Sequence, residues 1–379
     1  FGWADVEGEV AATADTKYRV ASISKLFTAT AVMQLRDAGK LQLDDPIRKY
    51  LPWFNIQNSY PDAPPITIRH LLTHTAGLPR EANFPYWTDT NFPTVEQIQE
   101  ALPEQTTVLP TETRWKYSNL AFSLAGRVVA AVSGEPYIEY VHRHILEPLG
   151  MADSSLAAPE PDDPQLAVGY GRRMPDGSRA ISPYTDCRGI TPAANLTTTV
   201  NDLAKFAMLH FRHGSATTSD VLRGSTLREM QRIHWLNESW THGWGIGFSI
   251  VREGKPTLVG HGGALQGNRT QLYLRPADKI AVIALTNSDD GNPVQYTQKG
   301  FAWVAPAVKQ AAAPEQKPAE ETPDWSRYVG KYRSAWGDMQ VLVQLEWWNW
   351  LTEILLLWCF GMFIAVFTGS GNRRQGIWF

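Results

Sequence analysis

Ser22 and Lys25 stand three residues apart at the head of an apolar helical pattern, so a hydroxyl and an amine share one helical face. A serine near the first helical turn meets unpaired backbone N–H groups and the positive end of the helix dipole. A neighbouring lysine, once desolvated, loses its proton and becomes a base. One short segment thus offers a nucleophile, a base and part of an oxyanion site. Ser22 is the one serine in the chain with lysine at the third position after it. Taken alone, the pair also fits a helix-capping serine beside a solvated lysine.

Two further groups follow in order. Tyr117 is the one tyrosine with asparagine two residues on, Asn119. A phenol beside the serine serves as base or proton shuttle, and Asn119 offers donor and acceptor to a substrate amide. The bland alternative is a loop tyrosine with a helix-capping asparagine. His261-Gly262-Gly263-Ala264 ends a predicted strand. Its glycines let a substrate backbone approach, and the strand edge offers an N–H to an oxyanion. The bland alternative here is a bulge or hairpin corner.

The elements that must position these groups are legible in part. Leu26, Ala29 and Met33 recur at helical spacing and Gly39 marks a stop. A second helical pattern covers Asn119 to Ser133. Pro- and Gly-marked loops separate such patterns, as at Ser59 to Pro65 and Pro159 to Pro164. From about residue 243 the pattern alternates: Gly247 to Arg252, Thr257 to His261, Thr270 to Arg275 and Ile280 to Thr286 read as strands. The turns Glu253-Gly254-Lys255-Pro256 and Pro276-Ala277-Asp278-Lys279 make neighbours antiparallel. The expected class is α+β, an antiparallel sheet flanked by helices plus a helical subdomain.

The 379 residues are 43% hydrophobic, ample for a large core and for more than one domain. The net charge is −3 and no basic stripe occurs, which disfavours nucleic-acid binding. The two cysteines, Cys187 and Cys359, have no zinc spacing and imply no disulfide framework. The expected organisation is a globular domain over 1–305, an Ala/Pro/Glu linker over 306–323, the start of a small β module over 324–344, and an anomalous Trp-rich apolar tail over 345–379. Three readings of that tail compete: a membrane anchor, an amphipathic or buried segment, and an out-of-frame translation of a β module. The composition shifts abruptly there with no turn or cap, which favours the last. The chain opens at Phe1 without an initiator methionine, so residues are expected to precede it, with any export signal among them.

The ordered set Ser22…Lys25, Tyr117…Asn119, His261…Gly263 resembles the three motifs of the penicillin-recognising serine hydrolases. The branch it resembles holds the class C β-lactamases, D-alanyl-D-alanine carboxypeptidases and β-lactamase-like esterases. Flanking text carries the likeness: Tyr18-Arg19-Val20-Ala21 before the serine, Ile66-Thr67-Ile68-Arg69-His70-Leu71-Leu72-Thr73-His74-Thr75-Ala76-Gly77-Leu78-Pro79, Glu147-Pro148-Leu149-Gly150-Met151 and Asn201-Asp202-Leu203-Ala204. The resemblance covers about residues 1–305. It implies the β-lactamase/transpeptidase-like fold, an acyl-enzyme on Ser22, and Lys25 and Tyr117 managing its proton, with either as the ground-state base. It places Asn119 on the substrate amide or on Lys25, and His261, Gly263 and Ala264 along the substrate. The backbone N–H groups of Ser22 and Ala264 would form the oxyanion hole. It implies no cofactor and an extracytoplasmic setting.

His261 stands where many members carry lysine. A lysine is a fixed positive charge suited to a carboxylate, whereas histidine is mostly neutral at pH 7. That favours a carboxylic ester or neutral amide over a β-lactam or D-Ala-D-Ala peptide. The helix-borne carboxylate of the class A branch has no counterpart, which leaves water activation to Tyr117. β-Lactamase, carboxypeptidase or D-aminopeptidase activity remains the alternative. A non-catalytic ligand-binding or scaffold protein on the same fold, tethered to a membrane by the tail, is the reading from another class. His70 and His74 have a metal-compatible spacing, but no glutamate follows His70, and the expected metal set is none. Trp235, Trp240 and Trp244 are candidates for cleft or core.

Overall fold

The helical spacing that begins at Leu26 becomes a helix of 14 residues, Ser24–Asp37, in a computed structural model of the chain. The structure describes residues 2–311, apart from 85–86, 88–89, 161–162, 213–220 and 253–255, together with 327, 329–334, 337–344 and 363–368. The helix is buried nearly all round, with Leu26, Phe27, Ala29, Val32 and Met33 enclosed together with the polar Ser24, Lys25, Thr28 and Thr30. It packs on the helix Asn119–Ser133 and on the short helix Thr191–Ala194, and Phe27 stacks on Phe206 with ring centroids 4.1 Å apart. Gly126 lets the last two helices meet, since a Cβ there would lie 2.2 Å from Pro192 Cγ.

The alternating segment forms a six-stranded antiparallel meander. Its order across the sheet is Ile280–Thr286, Asn268–Arg275, Leu258–Leu265, Ser249–Val251, His242–Trp244 and Trp235–Leu236. Smaller ladders join distant parts: Tyr18–Arg19 pairs with Thr197–Thr198, and Gly169–Tyr170 with Ile181–Ser182. With buried helices against an antiparallel sheet, the class is α+β.

One strand differs from its reading. The glycine pair does not end it, because Leu258–Leu265 runs on in unbroken register, Gly262 opposite Gln271 and Gly263 opposite Thr270. The strand Ser249–Val251 covers its other edge only as far as Gly260. Beyond that point the edge lies against the turn Ala21–Ile23.

The chain divides into two units, Phe1–Ala311 and Ala312–Phe379. The stretch read as a linker from 306 begins as helix, Ala305–Ala311, and its remainder lies outside the described residues. In the second unit, Gly330–Ser334 pairs antiparallel with Gly337–Gln344, which pairs in parallel with Phe363–Thr368. The tryptophans of the tail and the turn residues 253–255 lie outside the described residues. Among the described residues, no helix is long and apolar enough to cross a membrane.

Candidate active site

The backbone reaches the serine through a strained turn. Ala21 has φ +47°, a left-handed conformation that costs a residue with a side chain about 1–3 kcal/mol. The 3₁₀ turn Ala21–Ile23 carries Ser22 and passes directly into the helix Ser24–Asp37. Ser24 locks this junction: its hydroxyl donates to the Ala21 carbonyl at 2.6 Å and accepts from the Leu196 N–H at 2.9 Å. Of the two serines in the segment, Ser24 is therefore structural.

Lys25, the second residue of the helix, is wholly buried. Its Nζ lies 3.2 Å from Ser22 Oγ, 2.7 Å from Asn119 Oδ1 and 2.9 Å from the Ala193 carbonyl. Burial pushes its pKa down to about 7; the charge of Glu81 opposes this, and that of Arg80 adds to it. A neutral amine has two N–H groups and one lone pair. Asn119 Oδ1 and the Ala193 carbonyl accept only, so they take the two N–H groups and leave the lone pair to the Ser22 hydroxyl.

Tyr117 completes the serine's hydrogen bonding, its hydroxyl donating to Ser22 Oγ at 2.8 Å. Burial raises the phenol well above its ordinary range, against the Ser22 hydrogen bond and the nearby Arg80 charge. At neutral pH the phenol is protonated. Its ring lies 4.4 Å from the ring of His74, which Trp244 meets edge-on at 5.1 Å, and Trp115 stacks on Trp244 at 5.1 Å. Trp240 is exposed, and Trp235 lines a cavity of about 540 Å³ whose lining includes none of Ser22, Lys25, Tyr117 and His261.

Asn119 opens its helix, and Ser118 caps it by accepting from the Ala121 N–H at 3.0 Å. The far side of the Asn119 amide donates to Glu81 Oε1 at 2.5 Å. The Trp87 indole also donates to Glu81, at 3.0 Å, and Arg80 Nε lies 3.5 Å away. Burial raises the Glu81 pKa, while these donors and the cations Arg80 and Lys25 oppose the rise.

His261 is buried on the strand Leu258–Leu265, its ring 6.2 Å from Tyr117 and 5.5 Å from Trp244. Its Nδ1 lies 2.6 Å from the Gly262 carbonyl, so Nδ1 carries the proton and Nε2 a lone pair. Nε2 has no hydrogen-bond partner among the described residues. Burial, then the Lys25 charge, pushes the imidazole down to about 3, and the ring is neutral. At Gly263 the close approach is to the chain itself: a Cβ would lie 2.1 Å from the Val20 carbonyl and 2.3 Å from Thr270 Oγ1. That bare position holds the strand, with Ala264 next along it, against the Ser22 turn.

His70 and His74 do not share a helical face, because the helix is Ile68–Thr73 and His74 caps it with φ +59°. His70 Nδ1 accepts from the Thr67 N–H at 3.2 Å, and His74 Nδ1 from the Ser118 N–H at 3.1 Å. Both rings serve the local backbone. The sequence reading brought Ser22, Lys25, Tyr117, Asn119 and His261 forward, and all five meet here. It missed Glu81 and the Ala193 carbonyl. Neither left a local signal: Glu81 meets Asn119 across 38 residues of sequence, and a backbone carbonyl carries no residue type.

A family model described as Beta-lactamase matches residues 1–305. The chain is 33% identical over 304 residues to "Beta-lactamase-like protein 2" of Dictyostelium discoideum, covering 79% of this chain and 54% of that protein. It is 28% identical over 294 residues to the D-alanyl-D-alanine-carboxypeptidase/endopeptidase AmpH of Escherichia coli, covering 72% of each. The chain spans about half the length of the first curated relatives it matches, 54% and 49%. Among solved structures, the octameric penicillin-binding protein homologue from Pyrococcus abyssi superposes with a TM-score of 0.70 at 28% identity, over 80% of this chain and 69% of that one.

Proposed function

The chain belongs to the β-lactamase family, and from that premise we propose that it is a serine hydrolase acting through an acyl-enzyme on neutral carboxylic esters. Ser22 is the nucleophile and Lys25 its base. One observation carries this reading: the Ser22 hydroxyl faces an amine whose other partners, Asn119 Oδ1 and the Ala193 carbonyl, are both acceptors. Ser22 Oγ attacks the carbonyl carbon while its proton passes to Lys25 Nζ. The displaced electron pair settles on the carbonyl oxygen, held by the backbone N–H groups of Ser22 and Ala264. As the tetrahedral species collapses, the proton moves through the Tyr117 hydroxyl to the departing alkoxide, which leaves as the alcohol. Water then attacks the acyl ester, giving one proton to Lys25 and not, as expected from the sequence, to Tyr117, whose phenol burial keeps protonated; the acid departs and Ser22 Oγ recovers that proton.

The substrate class follows from His261. A neutral ring with a free lone pair offers no positive charge to a carboxylate. One observation favours a second reading, turnover of D-amino-acid peptides with a free carboxylate: the largely exposed Arg80 guanidinium stands 5.0 Å over the Tyr117 ring. The deciding experiment has two parts. A fluorophosphonate should label the wild type and not Ser22→Ala, and absence of label on folded wild type would end the hydrolase reading. Side-by-side assays of a p-nitrophenyl ester, a chromogenic cephalosporin and a D-Ala-D-Ala peptide should then show the ester turned over fastest. Faster peptide cleavage, lost in Arg80→Ala, would replace ester with peptide.

A further inference from the structure

We propose that Glu81 is a positioning residue: it turns the Asn119 oxygen toward Lys25 and places a partly buried carboxylate one side chain away from the amine, thereby setting the pH at which Lys25 becomes a base. This rests on the assignment of Lys25 as base. An asparagine amide reads the same in outline when flipped, and only its partners fix which end is oxygen. On one side Lys25 donates to Asn119 Oδ1 at 2.7 Å, and on the other Asn119 Nδ2 donates to Glu81 Oε1 at 2.5 Å. Without an acceptor at 81, the amide loses its reason to present oxygen to the lysine.

Arg80, Tyr117, His74, His261 and Cys187 are the other ionisable groups that act on Lys25 or lie against it. Burial keeps both histidines neutral, holds the phenol protonated and pushes the Cys187 thiol up to about 11. Arg80 is a cation on an exposed side chain. Glu81 is therefore the carboxylic acid of the set: burial raises its pKa, and the Asn119 amide, the Trp87 indole and Arg80 oppose that and favour the carboxylate. Its Oε2 is buried with no hydrogen-bond partner among the described residues. Among the described residues, its partners Trp87, Asn119 and Arg80 all meet Oε1, on the side that leads to Lys25.

The test follows the rate of fluorophosphonate labelling of Ser22 against pH, which needs no knowledge of the natural substrate. Glu81→Gln keeps an acceptor for Asn119 and removes the charge. The midpoint of the rise should move to lower pH by about half a unit or more, with the plateau within about threefold of wild type. Trp87→Phe keeps the aromatic ring, removes the indole donor that favours the charged carboxylate, and should shift the midpoint the same way by less. A Glu81→Gln profile that superimposes on wild type overturns the proposal. If that variant does not fold, an unmoved midpoint in Trp87→Phe overturns it instead. Wild type that takes no label overturns the hydrolase reading, whereas labelled wild type with unmoved variants overturns the role of Glu81 alone.

Discussion

The Ala193 carbonyl lies 2.9 Å from the Lys25 amine, and with Asn119 Oδ1 at 2.7 Å it fixes where the two protons of a neutral lysine must point. The lone pair is left facing Ser22. In the proposed mechanism the nucleophile is thereby activated by a backbone atom on a four-residue helix, Thr191–Ala194, as much as by the side chains of the motifs.

Replacing Lys25 with methionine keeps most of the volume and removes the base. Ester kcat/KM should fall by about 10²–10⁴-fold. The measurement is steady-state hydrolysis of a p-nitrophenyl ester, and retention of more than a tenth of the activity would assign the base elsewhere.

Tyr117→Phe removes the donor to Ser22 Oγ but keeps the ring against His74 and Trp244. Turnover should fall by about 10²-fold or more while stability changes by less than about 1.5 kcal/mol. Urea denaturation alongside kinetics separates the two. Full activity in the variant would remove the phenol from the proton path.

Activity should rise with pH around a midpoint of about 7, because Lys25 acts only when deprotonated and its pKa is pushed down to about 7. Below that pH the amine is an ammonium and offers the serine no lone pair. A pH–rate profile of kcat/KM checks this, and a flat profile between pH 5.5 and 8.5 would exclude a titrating base of this kind.

Stability should fall on the acid side, as in a carboxylate-paired fold, but starting from a higher pH. Burial depresses the pKa of His261 to about 3 and that of His74 well below its ordinary value. Between about pH 6.5 and the folded values, the unfolded chain binds protons that the folded chain refuses. The histidine contribution is therefore full above about pH 6.5 and is lost as pH drops, by roughly 1.4 kcal/mol per unit for each histidine. Urea midpoints at pH 7.5, 5.5 and 4.5 measure this, and His261→Gln should reduce the slope.

Gly263→Ala drives a methyl into the Val20 carbonyl and Thr270 Oγ1. Overpacking of this kind costs about 1–3 kcal/mol. The strand edge should move off the Ser22 turn, so labelling of Ser22 should slow even where the variant is folded. Wild-type labelling rates would show that the edge takes no part in holding the oxyanion.

Most of the sheet was legible because alternation reports it directly: the strand Ile280–Thr286 has the bounds read from the pattern. The Asn119–Ser133 helix was legible for the same reason, its apolar run bounded by Ser118 and Gly134. The glycine pair misled, since Gly262 and Gly263 weaken a strand and resemble its end. Both lie inside one: at Gly263 the Val20 carbonyl passes too close for a side chain, and at Gly262 a Cβ would lie 2.7 Å from Gln271 Oε1. Glu81 was missed because its partner is 38 residues away in sequence and no local pattern reports such a contact. The left-handed Ala21 was illegible for a different reason: strain at a residue with a side chain is imposed by its surroundings, here Ser24, Leu196 and the neighbouring strand.

The contact between Gly126 and Pro192 reaches further than its size suggests. Pro192 is bonded to Ala193, whose carbonyl aims the lysine's lone pair, so a single methyl added to the Asn119–Ser133 helix at Gly126 would be read out as altered proton transfer at Ser22. A surveyor of tolerated substitutions would find the enzyme's acid–base behaviour recorded in a position that carries no functional group at all.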